Sequence, residues 1–312
     1  MRTPSQHSKD EARRARVGFV TLHGMGQQDE SYSEPLIRRV VAALTPDELA
    51  AVTFNSVFYQ RELQRNETKL WDWTVKRDRL NWQSLRKFVL FSLADAVGFE
   101  TDKEEEESSY FRTQIKIALT LLQARDQMDG DGPLVIFAHS LGAQVFSSYL
   151  WDARRILYGT QATAGIWAGD VKKTLDESLK PRALTSAEIN FLRGGNVVAF
   201  ITVGCNIPVF LAAHNRMTIR PIEPPSDQFQ WHNIYNPNDV LGWPLQPLGP
   251  DYERLVQDHA VPVGGWLRWW NPLSHTGYWT NDTVLSQVIA QLRRAFQTRP
   301  AADAEGIDTV AS

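Results

Sequence analysis

The sequence predicts an α/β protein: a mostly parallel sheet with helices on both faces and a helical insertion. Three observations carry this. Short apolar runs rich in β-branched residues alternate with segments of helical spacing, as in parallel sheets covered on both sides. One such run, Pro133–Ala138, leads straight through His139-Ser140-Leu141 into a helical segment. The first such run, Val17–Leu22, ends in a Gly-rich turn, His23-Gly24-Met25-Gly26, before a helical segment.

The elements follow in order. Val17–Leu22 is a strand. Ser33–Leu44 is a helix, with Pro35 in its first turn and Leu36, Val40, Val41 and Leu44 as its apolar face. Val52–Tyr59 is a second strand. A polar-aromatic helical region runs from about Gln60 to Phe99. Tyr110–Met128 is an amphipathic helix, with Phe111, Ile115, Ala118, Leu119 and Leu122 on one face and Ser108 or Ser109 as its N-cap. Pro133–Ala138 is the third strand and Gly142–Leu157 the next helix. Val197–Val203 and Trp231–Tyr235 are two more strands, and Asp282–Phe296 is the last helix.

One domain is expected over residues 17–298, with polar tails at 1–16 and 299–312. Residues 61–107 exceed an ordinary connection. Leu85, Phe88, Val89, Leu93 and Val97 fall at helical spacing there. That greasy face suits either an extra packed helix or a lid over a cleft. Glu104–Glu107 reads as a solvated loop.

Composition excludes several classes. Net charge is -3, which gives no footprint for nucleic acid. The single cysteine, Cys205, forbids an intrachain disulfide. Residues 1–16 lack the apolar core of a signal peptide, so a cytoplasmic location is expected. Val197–Ala213 is apolar for 17 residues, but Gly204, Asn206 and Pro208 interrupt it. A buried strand followed by a turn fits better than a membrane span. No His, Cys or carboxylate set has convincing metal-ligand spacing, and no Walker or dinucleotide loop appears, so no metal or cofactor is expected. Tryptophan is abundant at 11, with Trp266, Trp269, Trp270 and Trp279 clustered late. Most of these suit burial; an acyl-chain groove is the sharper alternative.

The chemistry concentrates at Ala138-His139-Ser140-Leu141-Gly142. A strand, a sharp turn and a helix make the context of a nucleophile elbow. Residues two before and two after the serine must be small, and Ala138 and Gly142 are. His139 points away from Ser140 on such a turn and is expected to be structural. His23-Gly24-Met25-Gly26 follows the first strand as a Gly-rich turn. Beside the elbow, the Met25 and Leu141 N–H groups would form an oxyanion hole. Past the serine an acid and then a base should follow. Candidate bases are His214, His232, His259 and His275. His275, in a loop of turn formers near the end of the fold, is favoured, with His259 as its rival. Asp239, just past the Trp231–Tyr235 strand, is the favoured acid, with Asp251 and Asp258 as alternatives.

Together these residues resemble the α/β-hydrolase family, and more closely its lipase and esterase branch, over about Val17–Phe296. His23-Gly24-Met25-Gly26 is similar to the family's oxyanion loop. Ala138–Gly142 is similar to its elbow, with Ala for the first Gly. Thr202-Val203-Gly204-Cys205-Asn206-Ile207-Pro208 is a looser match to the strand and turn after the elbow helix. Asn233–Asp239 resembles the acid loop, and Ser274–Tyr278 the histidine loop. The resemblance implies a Ser140, Asp239 and His275 triad, Met25 and Leu141 as oxyanion donors, and a small-molecule or lipid ester substrate. Against the family pattern, the chain opens at what would be the third strand. A second reading keeps the fold but not the chemistry: a ligand- or partner-binding protein without catalysis.

Overall fold

The computed structural model describes residues 15–26, 28–63, 70–71, 90, 94, 97–100, 103–105, 107–128, 130–179, 183–213, 219–263 and 272–298. Residues 1–14 and 299–312 of the expected tails, most of the 61–107 insertion with Leu85, Phe88, Val89 and Leu93, and also His214, Trp266, Trp269 and Trp270, lie outside the described residues. Ala15 and Arg16 are instead tied in, Ala15 bridging to Met128 and the Arg16 N–H donating to the Ala51 carbonyl at 2.8 Å.

Six strands form one sheet, all parallel, in the order β2-β1-β3-β4-β5-β6. They are β1 (Val17–Leu22), β2 (Val52–Val57), β3 (Leu134–His139), β4 (Val197–Val203), β5 (Gln230–Tyr235) and β6 (Val256–Ala260). The α/β class with helices on both faces is thus as expected. β6 was not anticipated from the sequence. Its Val-Gln-Asp-His-Ala is mostly polar, because an edge strand has one side free of the sheet and needs no continuous apolar run.

The principal helices are α1 (Glu34–Ala43), α2 (Ser109–Gln127), α3 (Leu141–Arg154) and α4 (Asp282–Gln297). Alternate strand residues feed two cores. Val20, Leu22, Leu134, Ile136 and Ala138 face α2 and α3 on one side. Val17, Phe19, Val135 and Phe137 face α1 and α4 on the other. Crossovers of one hand that run in opposite directions across a sheet must place their helices on opposite faces. The chain leaves β1 toward β2 through α1 and returns to β3 through α2, so the split follows.

Several details differ from the sequence reading. On α1, Leu36 and Val40 are buried but Val41 is exposed. On α2 Ala118 and Leu122 are buried as expected, together with Tyr110, Thr113, Ile117, Leu121 and Ala124, while Phe111, Ile115 and Leu119 lie half-buried. Polar Thr113 and Gln114 turn inward as well, a feature that apolar spacing cannot detect. Ser108 is the N-cap, accepting from Phe111 N–H at 3.1 Å. The helix after the serine ends at Arg154 and passes into a 3-10 turn, Arg155–Tyr158. The apolar segment after β4 contains a short helix, Ile207–Ala213, rather than a turn alone. No described helix is long and apolar enough to cross a membrane.

The strand order reverses at β1. Its neighbours are β2 on one side and β3 on the other, so the loops leaving β1 and β3 diverge. A crevice opens at such a switch point, at the carboxyl ends of the strands.

Candidate active site

Leu22 and Ala138 are register partners at the carboxyl ends of β1 and β3. The next residues, His23-Gly24 and His139-Ser140, therefore enter the crevice side by side. Ser140 has φ 54 and ψ -120, a backbone conformation a side chain rarely adopts. Such geometry costs on the order of 1–3 kcal/mol and persists only where neighbours enforce it. Here the Ser140 N–H donates to the Val203 carbonyl at 2.9 Å, pinning the turn to the end of β4. The small-residue requirement is also visible. A Cβ on Gly142 would lie 2.6 Å from the His23 carbonyl oxygen. A Cβ on Gly24 would lie 2.7 Å from the Ser140 Cβ.

The loop after β1 is held rigidly. The His23 ring stacks on Tyr59, with centroids 3.9 Å apart. Its Nε2 accepts from the Tyr59 N–H at 3.2 Å, so its Nδ1–H donates to the Gly24 carbonyl at 2.8 Å. Burial lowers the His23 pKa to about 4, which keeps the ring neutral and preserves that tautomer. Met25 follows, half-buried against the core. Leu141 is the first residue of α3, so its N–H has no partner within the helix.

Asp239 and His275 meet. Asp239 sits in the loop after β5, which Asn236 organises: its Oδ1 accepts from Asn238 N–H at 3.1 Å and its carbonyl from Asp239 N–H at 2.9 Å. The Asp239 Oδ2 accepts from His275 Nδ1 at 2.8 Å and from the Tyr278 hydroxyl at 2.9 Å; Oδ1 accepts from Leu241 N–H at 3.1 Å. Burial pushes the Asp239 carboxyl up. The His275 hydrogen bond and charge, helped by Leu241 and Tyr278, outweigh it and hold the carboxyl below the usual range. An ionised Asp239 assigns the proton of His275 to Nδ1 and leaves Nε2 as a bare acceptor.

That acceptor is buried and has no hydrogen-bond partner among the described residues, and neither has the buried Ser140 Oγ. One is an acceptor without a donor and the other a donor without an acceptor. Both lie at the end of β4: the Ser140 N–H bonds the Val203 carbonyl, and a Cβ on the next residue, Gly204, would lie 3.0 Å from His275 Cε1. Buried polar atoms are nearly always paired, so unpaired ones need an explanation.

His139 reaches the main chain of the histidine loop, while its Nδ1 is buried without a partner among the described residues. Its Nε2–H donates to the His275 carbonyl at 2.6 Å, and the two rings lie 4.7 Å apart. Burial, then the neighbouring His275 charge, lowers its pKa to about 3. Trp279, from the late tryptophan cluster, is buried against Phe137 and His139. The sequence reading missed Tyr278 as a partner of Asp239. Its place three residues after His275 was the only signal.

The rival residues are occupied elsewhere. His232 and His259 bond each other at 3.1 Å. Asp258 accepts from Asn233 Nδ2 and from the Leu245 and Gln246 N–H groups. Asp251 is exposed and pairs with Arg254. Among the described residues no group of three or more His, Cys, Asp or Glu side chains could hold a metal. Cys205 is buried, and burial pushes its thiol up to about 12, far from a reactive thiolate.

No protein-family model matches the chain, and no curated protein matches it in sequence. Among solved structures, one of an acetylxylan esterase shares 13% identity with a TM-score of 0.39, covering 90% of this chain and 98% of the other. An iodinated complex of acetyl xylan esterase shares 12% identity with a TM-score of 0.38, over the same shares of each chain. Both likenesses are too loose to carry an inference about this chain.

Proposed function

We propose that this protein is a serine hydrolase of the α/β-hydrolase type that cleaves a carboxylic ester through an acyl-enzyme. The observation that carries the proposal is the complementary pair of buried, unpartnered atoms, Ser140 Oγ and His275 Nε2, with Asp239 holding the opposite nitrogen of the imidazole.

In this reading His275 Nε2 takes the proton of Ser140 as Oγ attacks the acyl carbon. The tetrahedral oxyanion is held by the N–H groups of Met25 and Leu141, the second aided by the positive end of the α3 dipole. Asp239 keeps His275 in the productive tautomer and stabilises the imidazolium. His275 then gives the proton to the leaving alkoxide. Water repeats the sequence on the acyl-enzyme and frees the acid. Met25, Ser140 with Leu141, and Asp239 follow the carboxyl ends of β1, β3 and β5, which a parallel sheet gathers at one edge.

A fluorophosphonate probe tests this directly. The wild-type chain should be labelled covalently on Ser140 and should hydrolyse p-nitrophenyl esters. Ser140→Ala should abolish both while keeping its fold. A folded wild type that stays unlabelled, with and without detergent, would instead favour a binding protein that uses the fold without the chemistry.

A further inference from the structure

Ten large hydrophobic side chains are exposed among the described residues, and four of them fall within eight positions: Trp151, Ile156, Leu157 and Tyr158. They sit where α3 ends and tightens into the 3-10 turn Arg155–Tyr158. Ile156 is 60% exposed and Tyr158 is 50% exposed, more than single surface apolars require. The turn is a closed knuckle. Gly159 ends it with φ 67; its N–H reaches the Ile156 carbonyl at 3.2 Å, and Thr160 donates to the Arg155 carbonyl from both N and Oγ1.

Two cations flank the knuckle. The Arg155 guanidinium lies over the Trp151 ring at 5.4 Å. Arg154 reaches the Tyr158 hydroxyl and the Pro224 carbonyl, both at 3.4 Å. The nearby Asp152 directs its carboxylate inward, where it accepts from Tyr110 and Gln114 rather than from either arginine. Aromatic rings, aliphatic tips and arginines on one short convex segment suit the boundary of an anionic bilayer. A four-residue 3-10 turn rises about 8 Å, comparable to the depth at which interfacial segments sit. A second copy fits worse: a two-fold contact of this patch with itself would set the arginines of both copies against one another.

We infer that the Trp151–Tyr158 knuckle docks the protein peripherally on an anionic lipid surface. The consequence for orientation follows from α3. Ser140 precedes its first residue and the knuckle follows its last, about 21 Å apart along 14 residues at 1.5 Å each. The docked protein therefore turns the serine edge away from the bilayer, toward substrate arriving from water.

Co-sedimentation of the full chain with phosphatidylcholine vesicles, with and without phosphatidylglycerol, tests this. Wild type should partition onto the anionic vesicles, weakly onto neutral ones, and be released by salt. The Ile156→Ser, Leu157→Ser double variant should lose at least about tenfold in partitioning, by the apolar burial it removes. Arg155→Gln should lose less and flatten the salt dependence. Both variants should keep the wild-type circular dichroism. Ser140→Ala should partition as wild type does, so this outcome stands apart from the fate of the proposed chemistry. Absence of partitioning by wild type, partitioning indifferent to both variants, or a dimer in sedimentation velocity that the double variant dissolves would each overturn the inference.

Discussion

Two histidine pairs lie at similar separation among the described residues, and they differ in how their ring nitrogens are used. His139 and His275 have ring centroids 4.7 Å apart; His232 and His259 have theirs 5.3 Å apart. In the second pair the rings bond each other, and the free nitrogen of His232 meets Gln291 at 2.9 Å and Gln230 at 3.2 Å. The rival carboxylate Asp258, which precedes His259 in β6, is filled by three N–H donors. In the first pair, His139 bonds the main chain of His275 through Nε2, and its Nδ1 is buried without a partner among the described residues. His275 then keeps one nitrogen on Asp239 and leaves the other open. Residue type does not separate these clusters. Hydrogen-bond saturation does: a satisfied network holds strands together, while an unsatisfied buried acceptor is free to take a substrate's or a serine's proton.

Breaking each cluster in the same way should give opposite symptoms. His275→Ala should lower ester turnover by roughly a millionfold, as loss of a base does. His259→Gln should leave turnover per folded molecule unchanged. Asp239→Asn should cost about ten-thousandfold in turnover through the wrong tautomer. Asp258→Asn should spare turnover but lower stability by about 1–3 kcal/mol, because an amide nitrogen would face the Leu245 and Gln246 N–H groups. Steady-state kinetics beside urea unfolding reads both symptoms. Equal turnover losses in the two clusters would erase the distinction.

The clusters should also differ in acid. His23 and His139 are held neutral, with pKa values lowered to about 4 and about 3, chiefly by burial. Unfolding releases them to an ordinary value near 6.5. The unfolded state then binds the extra protons. Stability is full above that value and falls with pH toward 4, by about 1.4 kcal/mol per pH unit for each ring. His232, lowered to about 4 by burial and by the charges of His259 and Arg294, should add a smaller slope in the same sense. Asp152 acts oppositely. Burial raises its carboxyl to about 6, so the folded state protonates first and the penalty of the ionised form fades between about 6 and 4. Unfolding midpoints measured across this window should fall for wild type. They should fall less steeply for His139→Gln, and more steeply for Asp152→Asn.

The smallest effect tests the partner that Asp239 gains from Tyr278. Tyr278→Phe removes one hydrogen bond to the carboxylate and one from the Asn236 N–H. Turnover should drop by less than about tenfold, one hydrogen bond's worth. The lower limb of the pH–rate profile should move upward as Asp239 loses a donor. An unmoved limb would confine Tyr278 to packing.

Much of this was legible beforehand because it is local. A buried strand needs an apolar run, a sharp elbow needs Ala138 and Gly142, and a helix needs a cap such as Ser108. Each requirement acts within a few residues, so the sequence alone determined the α/β class, five of the strands and the serine turn. The rest depends on contacts between distant segments. β6 escaped detection because an edge strand carries no continuous apolar run. The inward stripe of α2 was only partly legible, Ala118 and Leu122 but not Gln114, because Gln114 is buried by its bonds to Asp152 and Ile166 N–H, which no periodicity encodes. The choice of His275 over His259, and of Asp239 over Asp258, could be ranked from loop position but not decided. Only the tertiary structure distinguishes them, by satisfying Asp258 and His232 with neighbours 12 to 59 residues away and leaving His275 Nε2 without a partner among the described residues.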